Sequence, residues 1–206
     1  VIIDNRPGGN TAVGVGLCAK GAPDGYTLCP SGSGVLFNPM LYRNMDYSPQ
    51  KDLAAITNMV LIDGVITVSA SLPANSIKEL IELARTKPGT INWGSIGIGS
   101  ASHLYMEWFQ AKAGVKFTHI PYKGSPEVIR ALITDEIQAL TNSPGVMLPH
   151  VKAGKVKPLG TSGRKRSASL PDVPTIAEAG VPGYEVDVWY GLFVPRGTPA
   201  AVVARV

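Results

Sequence analysis

The sequence predicts an α/β protein of two lobes, on three observations. From Ile91 to Thr161 strand-like and helix-like segments alternate, the pattern of a mostly parallel sheet with helical crossovers. Two long apolar runs, Ala54 to Ala70 and Tyr184 to Val194, read as the chain leaving one sheet for another and returning. The 23 glycines and 17 prolines among 206 residues, about a fifth of the chain, require many short elements joined by tight turns and disfavour a helical bundle. The expected division is a first lobe of residues 1–63 with 187–206 and a second of 64–186, enclosing a cleft.

Taken in order, Val1 to Ile3 reads as a short strand, broken by Arg6-Pro7-Gly8-Gly9-Asn10-Thr11 ahead of a small-residue helix over Ala12 to Lys20. Pro23-Asp24-Gly25 turns the chain into a strand from Tyr26 to Cys29, followed by the polar loop Ser31-Gly32-Ser33-Gly34 and then a turn-rich stretch, Asn38 to Gln50. Ser76-Ile77-Lys78-Glu79 is a capping box, because a serine at the cap and a glutamate three residues on satisfy two orphan backbone donors. The helix it opens ends at Lys87-Pro88-Gly89. Strands Ile91–Gly94, Phe117–Pro121, Ile137–Thr141 and Val156–Thr161 then alternate with helices Ser102–Ala113, Pro126–Thr134 and Gly145–Ala153. A short helix over Thr175 to Ala179 follows, and Thr198 before Pro199 reads as the cap of a last helix.

Composition narrows the function. A chain that is 45% hydrophobic and 17% charged buries a core and is not disordered, and its apolar runs fall short of the ~20 residues a membrane-spanning helix needs. The net charge of +4 has one dense basic cluster, Arg164-Lys165-Arg166, which reads as a solvated loop and not as a nucleic-acid footprint. Cys18 and Cys29 are too few for a zinc site, allow one optional disulfide, and leave the compartment open. A start without Met or signal sequence reads as a fragment or a processed chain.

The candidate ligand residues cluster at strand ends. Gly99, Ser100, Ala101, Ser102 and His103 lie where a strand runs through glycines into a helix, so that unpaired N–H groups and about half a positive charge hold an anion without Lys or Arg. Ser31 and Ser33 offer the same chemistry after another strand, and Tyr122 and Lys123 follow a third, all at the C-terminal ends where open α/β sheets bind ligands. Asn142 enters the next helix and is either a neutral ligand donor or a plain cap. Trp189, in the return crossing, either closes over a ligand or fills the core.

Enzyme signatures fail. His103, His119 and His150 do not form H-E-x-x-H, and neither a phosphate-binding P-loop nor G-x-S-x-G occurs. Gly14-x-Gly16-x-x-Ala19 fits the loose dinucleotide fingerprint but does not directly follow a strand, so it reads as helix packing. Ser102 and His103 are sequence neighbours and cannot serve each other as nucleophile and base. No cofactor or metal is expected, and an α/β enzyme, a hydrolase or nucleotide-using protein, stays as the alternative with no nucleophile or phosphate motif to support it.

Several segments together resemble the Bug-type extracytoplasmic solute receptors of tripartite tricarboxylate transporters: Asp4-Asn5-Arg6-Pro7-Gly8-Gly9, Ala22-Pro23-Asp24-Gly25-Tyr26-Thr27-Leu28, Asn38-Pro39-x-Leu41-Tyr42, Lys51-Asp52-Leu53, Ser71-Leu72-Pro73-Ala74, Ser100-x-Ser102-His103-Leu104, His119-Ile120-Pro121-Tyr122-Lys123-Gly124, Leu170-Pro171-Asp172-Val173-Pro174-Thr175 and Glu178-x-Gly180. The resemblance implies a two-lobed type II periplasmic-binding-protein-like fold, here N- and C-terminally truncated, since the family's opening strand, glycine-rich loop, first helix and final helices are absent. It further implies a periplasmic location, a small carboxylate (a di- or tricarboxylate or similar organic anion) as ligand, a membrane permease as partner and no catalysis; the charge and hydropathy of the chain leave no nucleic-acid partner and no membrane insertion. By resemblance Ser31, Ser33, Ser100, Ser102 and His103 are the first ligand contacts. Asn142 stands where members often carry an acid, and Cys18 and Cys29 replace small or apolar residues.

Overall fold

The computed structural model describes residues 2–6 and 8–206. The chain divides into two compact units, Val1–Leu61 with Val188–Val206, and Ile62–Asp187.

The larger unit is built on five strands: β3 (Val65–Ser69), β4 (Asn92–Ser95), β5 (Thr118–Pro121), β6 (Ala139–Asn142) and β7 (Val156–Thr161), in the order β5-β4-β6-β3-β7. β4 runs parallel to both β5 and β6, whereas β3 is antiparallel to β6 and to β7. The sheet is therefore mixed: the expected parallel order holds except at β3, which enters the sheet from the preceding long strand and not from a helical crossover.

All five residues of β3 are buried, as a strand covered on both faces requires. Its alternation sends Ile66 and Val68 into a cluster with Trp93, Met106 and Phe109, and Val65 into a second cluster with Val128, Leu132 and Met147. The first lies under α4 (Ile77–Thr86) and α5 (Ala101–Ala113), the second under α6 (Ser125–Ile133) and α7 (Pro144–Lys152), so helices cover the sheet on both sides. Ser76 caps α4 by accepting from the Glu79 N–H at 3.2 Å, while the Glu79 carboxylate reaches past it to the Asn75 N–H at 2.7 Å.

The smaller unit holds α1 (Ala12–Ala19), β1 (Cys29–Gly32), α2 (Gly34–Leu41), α3 (Pro49–Asp52), most of β2 (Leu53–Asp63) and of β8 (Asp187–Pro195), and α8 (Ala200–Val203), with sheet order β1-β8-β2. Its core cluster is small, made of Val15, Cys29, Val35, Tyr47 and Leu53. Cys18 and Cys29 form a disulfide with Cα atoms 6.0 Å apart, tying α1 to β1.

Local expectations fail at identifiable points. Val1 and Pro7 lie outside the described residues, and Ile2 and Ile3 form no strand, since no strand of either sheet pairs with them. The strand expected over Tyr26 to Cys29 begins at Cys29, where pairing with β8 starts, so Ser31 lies inside a strand and not in the loop after it. α2 occupies part of the supposed turn region, because buried Asn38 holds the helix against the glycine turn by donating to the Asn10 carbonyl at 2.9 Å. Thr175 to Ala179 is a single turn: Thr175 and Glu178 exchange bonds at 2.9 and 3.1 Å, but Gly180 ends it at φ 114°. Pro199, not Thr198, is the cap of α8, and the Thr198 hydroxyl donates to the Pro195 carbonyl instead.

Candidate functional site

Because β4, β5 and β6 are adjacent and parallel, the loops that leave them share one edge of the larger unit. Gly99 through His103, Tyr122, Lys123 and Asn142 come together there; Ser31, Ser33 and Trp189 belong to the smaller unit.

The β4–α5 loop is shaped by Gly97 at φ 130° and Gly99 at φ 76°, conformations that other residues adopt only with strain. Its amide groups divide into two sets. Ile96 N–H donates to Ser102 Oγ (3.2 Å), Gly97 N–H to Ser95 Oγ (3.1 Å), Gly99 N–H to His103 Nδ1 (3.1 Å), Ser100 N–H to the Gly97 carbonyl (3.2 Å) and His103 N–H to Ser100 Oγ (3.4 Å). Among the described residues no protein acceptor meets the N–H groups of Ile98, Ala101 and Ser102. These three are the open donors, at the positive end of a 13-residue helix with no acid in its first turn.

The serine hydroxyls bond within the loop. Ser100 Oγ donates to the Gly97 carbonyl at 2.7 Å and lies 3.1 Å from Ser102 Oγ, so both buried hydroxyls hold the loop's shape.

At the neighbouring helix entries several polar groups already have protein partners. Lys123 N–H is taken by the Glu127 carboxylate at 3.1 Å, and the Lys123 side chain is exposed. Tyr122 packs against the second core cluster and donates its hydroxyl to Glu136 at 2.9 Å; burial first, then that carboxylate, pushes the phenol up to about 12. Asn142 Oδ1 accepts from Ser143 N–H at 2.8 Å and its Nδ2 reaches Ser125 Oγ at 3.4 Å, bracing two helix entries.

In the smaller unit, Ser31 is 4% exposed and its Oγ has no hydrogen-bond partner, an unsatisfied buried polar atom on β1 opposite Gly191. Ser33 begins α2 without a side-chain cap bond. Trp189 packs against the core cluster with Phe193, its ring centroid 6.3 Å away, and so fills the core.

His119, which the sequence offers as part of an absent metal motif and of the family-like segment His119 to Gly124 but not as a site residue, proves central to the loop. Its ring stacks on His103 at 3.9 Å between centroids, and its Nε2 lies 2.6 Å from Ser95 Oγ. Since His103 Nδ1 accepts the Gly99 N–H, the His103 proton sits on Nε2, 3.6 Å from Glu107. Burial, reinforced by the His103 charge and opposed by Glu107, holds His119 below its ordinary value of 6.5. A depressed histidine contributes stability that is present above its unfolded value and lost as pH falls through the folded one. Thermal unfolding of the larger unit is therefore expected to shift to lower temperature from about pH 7.5 to about pH 5.5, and His119→Gln should flatten that shift; an unchanged profile in the variant contradicts the assignment.

The basic cluster carries no free stripe of charge: Arg164 pairs with Glu185, and Arg166 with Glu178 at 2.9 Å. No helix among the described residues is long and apolar enough to cross a membrane.

Residues 1–206 match the family model described as the tripartite tricarboxylate transporter family receptor. The chain belongs to that family. The family members it resembles include a UPF0065 protein of Pseudomonas sp. (strain P51), 34% identical over 206 residues, covering 100% of this chain and 61% of the relative. Among solved structures, R. palustris Rpa4515 with adipate is similar at a TM-score of 0.93 and 36% identity, covering 99% of this chain and 69% of that one. MatC from Rhodopseudomonas palustris with bound malate is similar at 0.83 and 27%, covering 96% and 68%. The periplasmic binding protein BugD is similar at 0.89 and 32%, covering 99% and 68%, so the chain has a periplasmic-binding-protein-like fold, and it spans about 61% of the length of the curated relative it matches.

Proposed function

We propose that this chain is the ligand-binding part of a periplasmic receptor that captures a small organic carboxylate and delivers it to the membrane permease of a transporter, without catalysis. One observation carries the site: the N–H groups of Ile98, Ala101 and Ser102 at the start of α5 have no hydrogen-bond acceptor among the described residues, so that peptide dipoles and not formal cations are available to an anion there. Rpa4515 with adipate and MatC with malate support the ligand class. The unsatisfied Ser31 hydroxyl is proposed as a further ligand donor, with Ser33 beside it. The Cys18–Cys29 disulfide agrees with an oxidising compartment such as the periplasm.

An enzyme is not favoured. Ser95 forms the close serine–histidine contact, with His119, but is 1% exposed and bonded in both directions to Gly97.

Calorimetric titration of the full-length receptor with mono-, di- and tricarboxylates tests the function. Binding of at least one is expected; silence across the whole set sinks the proposal.

A further inference from the structure

We infer that the site selects carboxylates with an unsubstituted hydrocarbon body over hydroxylated ones, and that Ile98 is the residue that makes the selection; this rests on the carboxylate site proposed above. Ile98 supplies one of the three open N–H donors, and covalent geometry places its own Cβ about 2.5 Å from that nitrogen. The Ile98 side chain beside that amide is 69% exposed. Ile96 in the same loop is 43% exposed, and Val146, on α7 just beyond neighbouring β6, is 44% exposed. Together with Trp108 on α5 these are the exposed large apolar side chains of the larger unit among the described residues, and three of the four stand on the edge that carries the open donors.

The serine hydroxyls of that loop are already committed. Ser95, Ser100 and Ser102 spend their hydroxyls on Gly97, Ile96, His119 and each other, and His103 Nδ1 on the Gly99 amide. A hydroxyl placed against Ile96 and Ile98 loses water without gaining a partner, whereas a methylene there leaves water at no such cost. An apolar wall rejects an added hydroxyl only moderately, so the preference is on the order of tenfold, not absolute.

The test is paired titration of the full-length receptor with succinate and malate, and with adipate as a longer unsubstituted acid, in the native protein and in Ile98→Ser. The native receptor should bind succinate roughly tenfold more tightly than malate. Ile98→Ser should bring the two within about threefold while the unfolding temperature of the free protein stays unchanged. A preference for malate, an affinity ratio that Ile98→Ser does not alter, or a lowered unfolding temperature, which would mean that Ile98 packs within the fold, each overturns the inference while leaving the carboxylate receptor intact. Absence of binding by all three acids, in a protein silent toward every other carboxylate, removes the receptor function and the inference together.

Discussion

Reducing the disulfide between Cys18 and Cys29 should lower the stability of the smaller unit by about 3 kcal/mol, because the bond closes a loop with a sequence separation of 11. The effect is large relative to that unit's resources. Its core cluster comprises Val15, Cys29, Val35, Tyr47 and Leu53, while Ile2, Tyr26 and Met40 remain 95%, 92% and 82% exposed. The bond also fixes α1 against β1, the strand that carries Ser31. Thermal unfolding of the full-length receptor with and without a thiol reductant, and of the Cys18→Ala, Cys29→Ala double variant, should show the same fall in the transition of the smaller unit. Transitions unmoved by the reductant, with two thiols titrating as free in the untreated protein, would contradict the pairing.

The second large effect concerns the ligand. Ala101 is the first residue of α5, the position where proline is best tolerated in a helix, and Ser100 before it sits at φ −66°, ψ 159°, the extended conformation that a following proline requires. Ala101→Pro therefore removes one open N–H while the serine network, the Gly99–His103 bond and the helix are all retained. A hydrogen bond to a charged group contributes roughly 1.5–3 kcal/mol, so carboxylate affinity should fall by about 10- to 100-fold.

Much of the larger unit is legible in its sequence because its signals are local. The serine at position 76 with its glutamate, the proline–glycine stop after Lys87, and the prolines entering α6 and α7 mark element ends within a few residues. The failures are non-local. The start of β1 is decided by Phe193 of β8, and the direction of β3 by the strand from which it continues. α2 was hidden by Pro39 within it and depends on a contact between Asn38 and Asn10 that spans 28 positions.

At the site, glycines and serines before α5 announce a helix terminus correctly, but not how its donors are spent. Ser100 and Ser102 look like ligand donors in a sequence because their hydroxyls are polar and near the helix start; only the fold shows that Gly97 and Ile96 already use them. Ile98 passes unnoticed because one apolar residue in a glycine loop carries no pattern. The stack of His103 on His119 joins two elements, α5 and β5, which no spacing rule connects. Likewise, two cysteines allow a disulfide, and their 6.0 Å Cα separation decides it.

The central claim is that backbone amides at the start of α5 hold the ligand's carboxylate. Its most direct measurement is calorimetric titration of the full-length receptor carrying Ala101→Pro beside one carrying Ala101→Gly, which keeps the amide and removes only a methyl group. The glycine variant should bind as the native protein does, and the proline variant roughly 10- to 100-fold more weakly at an unchanged unfolding temperature. Native affinity in the proline variant would show that the anion is held elsewhere.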